Sequence, residues 1–256
     1  MYRSIKALLL FSVVLTVCVV AMGLRAPGSG GRASNQRTKV DETQFPIAEE
    51  SAPDPPTPAE RAKKIKKEKK YARYKDISIG PGVTVAGVSY HWPPGFPMLP
   101  VRQSDAVVIG EVAYAKAYVT SDKSTVYSEF TIRVIKVLKD DNQKPIPSEG
   151  SIVAERPGGR VRYPSGHISR FAISSLGMPR ATGKYVLFLN RNEQEEPYNL
   201  VTGYELRDGR VSPLDTINSD VVSYDEYQTY INMDEGKFFE KLDAAIAMAS
   251  ASSANQ

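Results

Sequence analysis

The chain has 256 residues, 41% hydrophobic and 24% charged, with a formal net charge of +4 and one cysteine, which suits one or two globular domains and excludes a disulfide-rich scaffold. The charge is unevenly placed: residues 25–75 hold 13 Lys/Arg against 7 Asp/Glu, whereas residues 76–256 hold 18 against 22. The basic character therefore belongs to the amino-terminal part. The mildly acidic remainder argues against nucleic acid as a partner, because affinity for a phosphate backbone rests on concentrated positive charge.

Arg3 and Lys6 precede an uncharged run from Ala7 to Leu24, the pattern of an export signal, and Ala21 and Gly23 offer a cleavage point after Gly23. The run is also long enough to span a bilayer if it is not cut. Residues 1–24 are thus read as a signal peptide or a signal anchor, with membrane contact through 1–24 if the segment is kept. The expected location is the periplasm, the cell surface or the extracellular space. Cys18 lies inside this run, so cleavage leaves a protein with no thiol nucleophile, disulfide or thiolate metal site.

Residues 25–75 are expected to be a disordered linker with a basic helical segment. Ala26–Gly31 and Ser51–Pro58 lack the large apolar residues that offset the entropy of ordering. The stretch Ala59–Tyr74 is rich in Lys and helix formers and follows Pro58, a helix start signal. Two readings stand for it: an electrostatic contact with anionic lipid, polysaccharide or nucleic acid, or a solvated helix or spacer.

Residues 76–256 read as a single β-rich domain. Gly82–Tyr90 suggests a strand interrupted at Gly87, and the prolines from His91 to Pro97 must leave it, with Trp92 and Phe96 packing the loop down. Ala106–Val119 is the next strand, and Thr120–Ser124 turns it into Val126–Leu138. In that long strand Phe130, Ile132 and Val134 alternate with Glu129, Thr131 and Arg133, after which the pattern slips and Ile135 and Val137 take the apolar role. The slip suggests a bulge, or else a strand buried on both faces near its end.

Ser151–Arg156 and Arg160–Tyr163, joined by Pro157-Gly158-Gly159, are expected to form a hairpin. Lys184–Leu189 is a continuous apolar run, read as the most deeply buried strand. Asp208-Gly209 between Leu200–Arg207 and Arg210–Leu214 suits a two-residue turn with positive φ at both positions. From Asp234 the period becomes helical, with Phe238, Phe239, Leu242, Ile246 and Ala249 on one face and Asp234 as N-cap. The expected fold is mostly β, a small OB-like antiparallel β-barrel or sandwich with a C-terminal amphipathic helix.

Ser104–Val112, the strand with Tyr127 and Phe130 that ends in Val137-Leu138-Lys139, and Gly183–Leu189 resemble the pattern of OB-like barrels of the netrin and tissue-inhibitor-of-metalloproteinase type, and of uncharacterised exported bacterial proteins similar to them. In the inhibitor family an amino-terminal cysteine coordinates the protease metal and disulfides fix the barrel. Those cysteines are missing here, so the resemblance implies fold and export but no inhibitory residues.

Of dedicated chemistry there is little sign. His91 and His167 have no zinc-ligand spacing, and no nucleophile elbow, phosphate-binding Gly-Lys loop or dinucleotide fingerprint occurs. No catalytic residue, cofactor or metal ligand is therefore assigned. Asp140-Asp141 and Glu193–Glu196 are acidic groups in connections. Arg156, Arg160, Arg162, Tyr163, His167, Arg170 and Phe171 form the densest basic and aromatic group of the acidic domain; Arg160, Arg162, Tyr163, His167 and Arg170 are the candidate residues for an anion or polymer. The alternative is a solvated strand face whose arginines pair with Glu129, Glu155 or other acids.

The functional expectation is an exported, non-enzymatic binding or envelope-associated module, its partner an envelope protein or an anionic polymer. Two alternatives stay open: a hydrolase acting on a cell-wall or extracellular polymer, which requires a cleft with two carboxylates, and a nucleic-acid-binding OB domain, which requires a positive groove with stacking rings.

Overall fold

The computed structural model describes residues 45–88, 95–140, 145–191, 197–216 and 224–253. The segments 1–44, 89–94, 141–144, 192–196, 217–223 and 254–256, which include the export run, the Trp92 loop and the Glu193–Glu196 group, lie outside the described residues.

Strands dominate, in two sheets. In chain order the elements are β1 (Ile47–Glu49), α1 (Pro58–Tyr71), β2 (Val85–Val88), β3 (Ala106–Val119), β4 (Val126–Asp140), β5 (Ser151–Pro157), β6 (Gly159–Arg162), β7 (Ile168–Ile173), β8 (Lys184–Arg191), β9 (Tyr198–Arg207), β10 (Arg210–Pro213), α2 (Tyr224–Tyr230), β11 (Met233–Asp234) and α3 (Glu235–Ser253). The smaller sheet has the order β1-β6-β7-β2, and the larger runs β11-β10-β9-β5-β4-β3-β8. Strand β9 pairs in parallel with β5 and antiparallel with β8, so the pairings lead from β3 through β4, β5, β9 and β8 back to β3.

The slip in β4 is a bulge. Gly110 of β3 faces Val134 and Ile109 faces Lys136, which leaves Ile135 as the extra residue. Ile135 is 42% exposed, so the apolar role expected for it is not realised; bulging turns its side chain away from the core. A second irregularity between Val107 and Val108, and a third between Val112 and Tyr114, bend the same pair. Such bends let one long pair of strands serve two cores. Phe130 and Ile132 lie in one core with Val108 and Leu187, while Val126 lies in another, against Val161 and Phe171 of the smaller sheet.

The turn into β4 is held by Asp122, which accepts from Thr120 Oγ1 at 2.8 Å and from Ser124 Oγ at 2.7 Å. The Ser124 hydroxyl, with help from Thr120 and Lys75 and against the opposing effect of burial, holds this carboxyl well below its ordinary range. Its contribution to stability is therefore present at neutral pH and lost as the pH falls through the carboxylate range.

The expected hairpin of 151–156 with 160–163 does not form. Strand β5 belongs to the larger sheet, whereas β6 pairs with β7 and β1 in the smaller. The chain changes sheet at Gly158, with φ of 117°, where a Cβ would stand 2.3 Å from Met178 Cε. That positive φ favours glycine, and any Cβ would also displace the Met178 methyl.

Strand β8 is buried from Tyr185 to Leu189, as the apolar run suggests. Tyr185, Leu187 and Leu189 face one core, and Val186 and Phe188 face the other, beneath α3. Asp208 and Gly209 have φ of 53° and 71° and join β9 to β10 in the tight turn expected. Asp234 Oδ1 accepts from the Gly236 and Lys237 backbone N–H groups at 3.1 and 3.2 Å, and Phe238 and Leu242 of α3 are fully buried.

The domain boundary moves. The fold does not begin near residue 76, because Phe45 is 4% exposed within the main core and β1 runs parallel to β6. The segment from Phe45 to Lys75 is thus part of the packed domain rather than a flexible tether. Low apolar content was a poor guide, since two aromatic anchors, Phe45 and Tyr71, hold the segment down. Among the described residues no helix is long and apolar enough to cross a membrane.

Candidate functional site

The expected basic group is brought together, but it is occupied within the fold. Arg160 and Arg170 face each other across β6 and β7, and Arg162 lies on the same face two residues along β6. Arg160 Nε donates to the Phe45 carbonyl at 2.8 Å, the Arg170 guanidinium lies 5.2 Å from the Phe45 ring, and Arg162 pairs with Glu49 at 2.9 Å. Tyr163 is buried and stacks on His167, whose Nε2 is 3.1 Å from the Val83 carbonyl and donates to it in the Nε2-protonated tautomer. These five residues fasten β1 and the segment before β2 onto the β6–β7 hairpin. The acid they engage is Glu49, not Glu129 or Glu155.

Arg156 parts from that group altogether. Its guanidinium is buried against Asp215 through two bonds of 2.6 and 2.7 Å, and it also donates to the carbonyls of Gly177 and Val201. Asp215 in turn accepts from the Gly177 N–H at 2.8 Å. This pair ties β5 and β9 to the segments after β7 and β10 and engages both terminal nitrogens of Arg156; its Nε is buried and has no partner.

The open site lies elsewhere, beneath α1. The helix is set by Thr57, whose hydroxyl accepts from the Glu60 N–H while the Glu60 carboxylate accepts from the Thr57 N–H, and by Pro58 in the first turn. Lys67 and Tyr71, four residues apart and so on one face, are its buried side chains. They land on an acidic pair: Glu129 of β4 and Glu155 of β5 are direct cross-strand partners, a juxtaposition that repels unless a cation joins it. Lys67 Nζ bonds Glu129 and stands 3.2 Å from Glu155 Oε2, an ion contact without hydrogen-bond alignment. Lys70 bonds the other oxygen of Glu155.

Tyr71 completes the docking. Its ring stacks on Tyr127 at 4.8 Å, and Tyr127 stacks on Tyr118 at 5.3 Å. Burial first, and then the Glu155 carboxylate beside it, push the Tyr71 phenol well above its ordinary pKa, so it stays neutral across the physiological range.

Between the outer side of this helix and the sheet is a cleft of 1080 Å³. On the helix wall are Lys66, Lys69 and Lys70, at the i, i+3, i+4 spacing that puts side chains on one face, joined by Arg73 from the 3-10 turn Ala72–Tyr74 that continues the helix. On the sheet wall are Gln103, Asn190 and Asn199, with Glu155 at the floor. Among the described residues Lys66, Lys69 and Arg73 make no ion pair, and Arg73 lies over the Tyr74 ring at 4.8 Å. The signal for this site was present in the helical spacing of the four cations. It was obscured because Ile65, the one aliphatic residue of the helix longer than alanine, is exposed and does not mark the buried face.

No known protein family, curated protein or solved structure matches the chain.

The described lining of the cleft holds a single carboxylate, Glu155, already engaged by two lysines, where glycoside hydrolysis uses a pair flanking the bond. Among the described residues no three His, Cys, Asp or Glu side chains are grouped as metal ligands.

Proposed function

We propose that the protein is an exported, non-enzymatic binding module on an OB-like β-barrel scaffold, and that its ligand is an anionic polymer seated in the cleft beneath α1. The scaffold reading is supported by the cycle of pairings through β3, β4, β5, β9 and β8, a five-strand meander-and-return in which the third and fifth strands are parallel. The ligand reading is carried by one observation. Lys66, Lys69 and Arg73 line the cleft without an acidic partner among the described residues, while Lys67 and Lys70 of the same helix are both bound to carboxylates. Docking by the second set holds the first set in place, which lowers the ordering cost of binding.

Binding to an immobilised anionic polymer at low ionic strength tests the ligand reading. The triple variant Lys66→Ala/Lys69→Ala/Arg73→Ala is expected to bind roughly 10- to 100-fold more weakly, at about 0.5–1 kcal/mol for each exposed ionic contact. Thermal stability should be unchanged, since these three side chains are exposed. Equal binding by wild type and variant would remove the cleft from consideration.

Export rests on Arg3, Lys6 and the run that follows them. Residues 1–30 fused to a reporter that is active only outside the cytoplasm should give activity. A silent fusion, with the protein expressed, would confine the module to the cytoplasm.

A further inference from the structure

We infer that the polymer held in the cleft is an acidic oligosaccharide, its acid groups on the helix wall and its hydroxyls on the sheet wall; this rests on the anionic-polymer reading above and narrows it. The two walls of the cleft differ in chemistry and in geometry. From Lys66 of α1 to Arg73 in the 3-10 turn that follows it (Ala72–Tyr74), the cations extend over about 10–12 Å. Across the sheet the register builds a second row: Asn190 of β8 faces Asn199 of β9, and Asn199 faces Glu155 of β5. Cross-strand partners share a face at a spacing of about 4.8 Å, so these polar side chains form a short ladder opposite the cations. Gln103 adds a third amide to that wall.

The ladder is open on the side that matters. Asn190 Oδ1 accepts from the Asp105 N–H at 3.2 Å, which orients its amide and leaves its two N–H donors for the cleft. Among the described residues Asn199 and Gln103 have no side-chain hydrogen bond, and Asn199 is half-buried. Neutral amides that both donate and accept suit hydroxyl groups, which do the same. A ligand with acid groups along one edge and hydroxyls along the other satisfies both rows together.

A single nucleic-acid strand meets the helix wall equally well but not the rest of the cleft. Its binding draws on ring faces on which bases stack. Tyr71 is covered by Tyr127, Tyr74 has the Arg73 guanidinium over it with Tyr71 beside it, and Phe96 packs against the core beneath α3. Among the described residues each ring that lines the cleft is already packed against a neighbour.

The experiment is calorimetric titration of the full-length protein at low salt with three probes: a galacturonic acid oligomer, the neutral galactose oligomer of the same length, and a single-stranded oligonucleotide of matched charge. The acidic oligomer is expected to bind at least 10-fold more tightly than either of the others. Asn199→Ala/Gln103→Ala should weaken the acidic oligomer by roughly 10-fold, as loss of two hydrogen bonds implies, and leave oligonucleotide binding unchanged. Equal binding of oligonucleotide and acidic oligomer, or no effect of the amide variant, overturns the oligosaccharide inference while the anionic-polymer reading stands. Equal binding of the neutral oligomer, or no binding of any probe, overturns both.

Discussion

Asp215→Ala is expected to destabilise the domain by about 3–5 kcal/mol, the range for breaking a buried ion pair from one side. Arg156 and Asp215 are both almost wholly removed from solvent, at 1% and 2% exposure. Their attraction adds little net stability, because desolvating two charges offsets much of it. Removal of the carboxylate alone is different. The guanidinium then keeps only the Gly177 and Val201 carbonyls, with its charge uncompensated, and the Gly177 N–H loses its acceptor.

Urea unfolding measures this directly as a fall in midpoint at unchanged slope. The double variant Arg156→Met/Asp215→Leu should lose much less, since neither charge remains. A loss below about 1 kcal/mol for Asp215→Ala would mean that water reaches Arg156.

Phe188→Ala should cost a similar amount, about 3–5 kcal/mol, for a different reason. The ring is fully buried, meets Tyr204 edge-on at 6.1 Å and sits with Phe238 and Leu242 of α3 in one core. Truncation leaves a cavity between a strand and a helix, and the strand cannot move inward because its alternate residues, Leu187 and Leu189, fill the opposite core. Partial relaxation of α3 sets the lower end of the range. Lost protection of α3 amides in hydrogen exchange would accompany the change in stability. A cost below about 1 kcal/mol would show that α3 closes onto the gap.

Both sites bear on the cleft through the strands they secure. Asp215 holds Arg156, the neighbour of Glu155, and Phe188 holds β8, which carries Asn190 two residues further on. A variant at either position is therefore unsuited to testing the ligand. Lys66, Lys69, Arg73, Asn199 and Gln103 can be changed without disturbing the core.

What could be read from the residues in line was whatever depends on neighbours in line. Alternation marked β4, a continuous apolar run marked β8, the Asp208-Gly209 pair marked the β9–β10 turn, and Asp234 with its helical apolar spacing marked α3. A local pattern is enough there because backbone period and side-chain direction are tied together. The bulge at Ile135 was visible as a slip in that period, though not the side to which the extra residue would turn.

The rest depended on partners far apart in the chain. Gly158-Gly159 has the composition of a hairpin turn and instead passes the chain from one sheet to the other, because Met178 and Val126 close around it. The arginines of β6 and β7 looked available until Phe45 and Glu49 were brought to them, and His167 until the Val83 carbonyl was. Lys67 and Lys70 looked like solvated charge until strand register set Glu129 beside Glu155 and made their docking favourable. Composition along the chain determined that α1 would be basic and helical. Only the tertiary structure decided which of its lysines were occupied by the protein's own carboxylates and which were left facing a cleft, since that division is a matter of which charges meet across 62 and 85 residues of sequence.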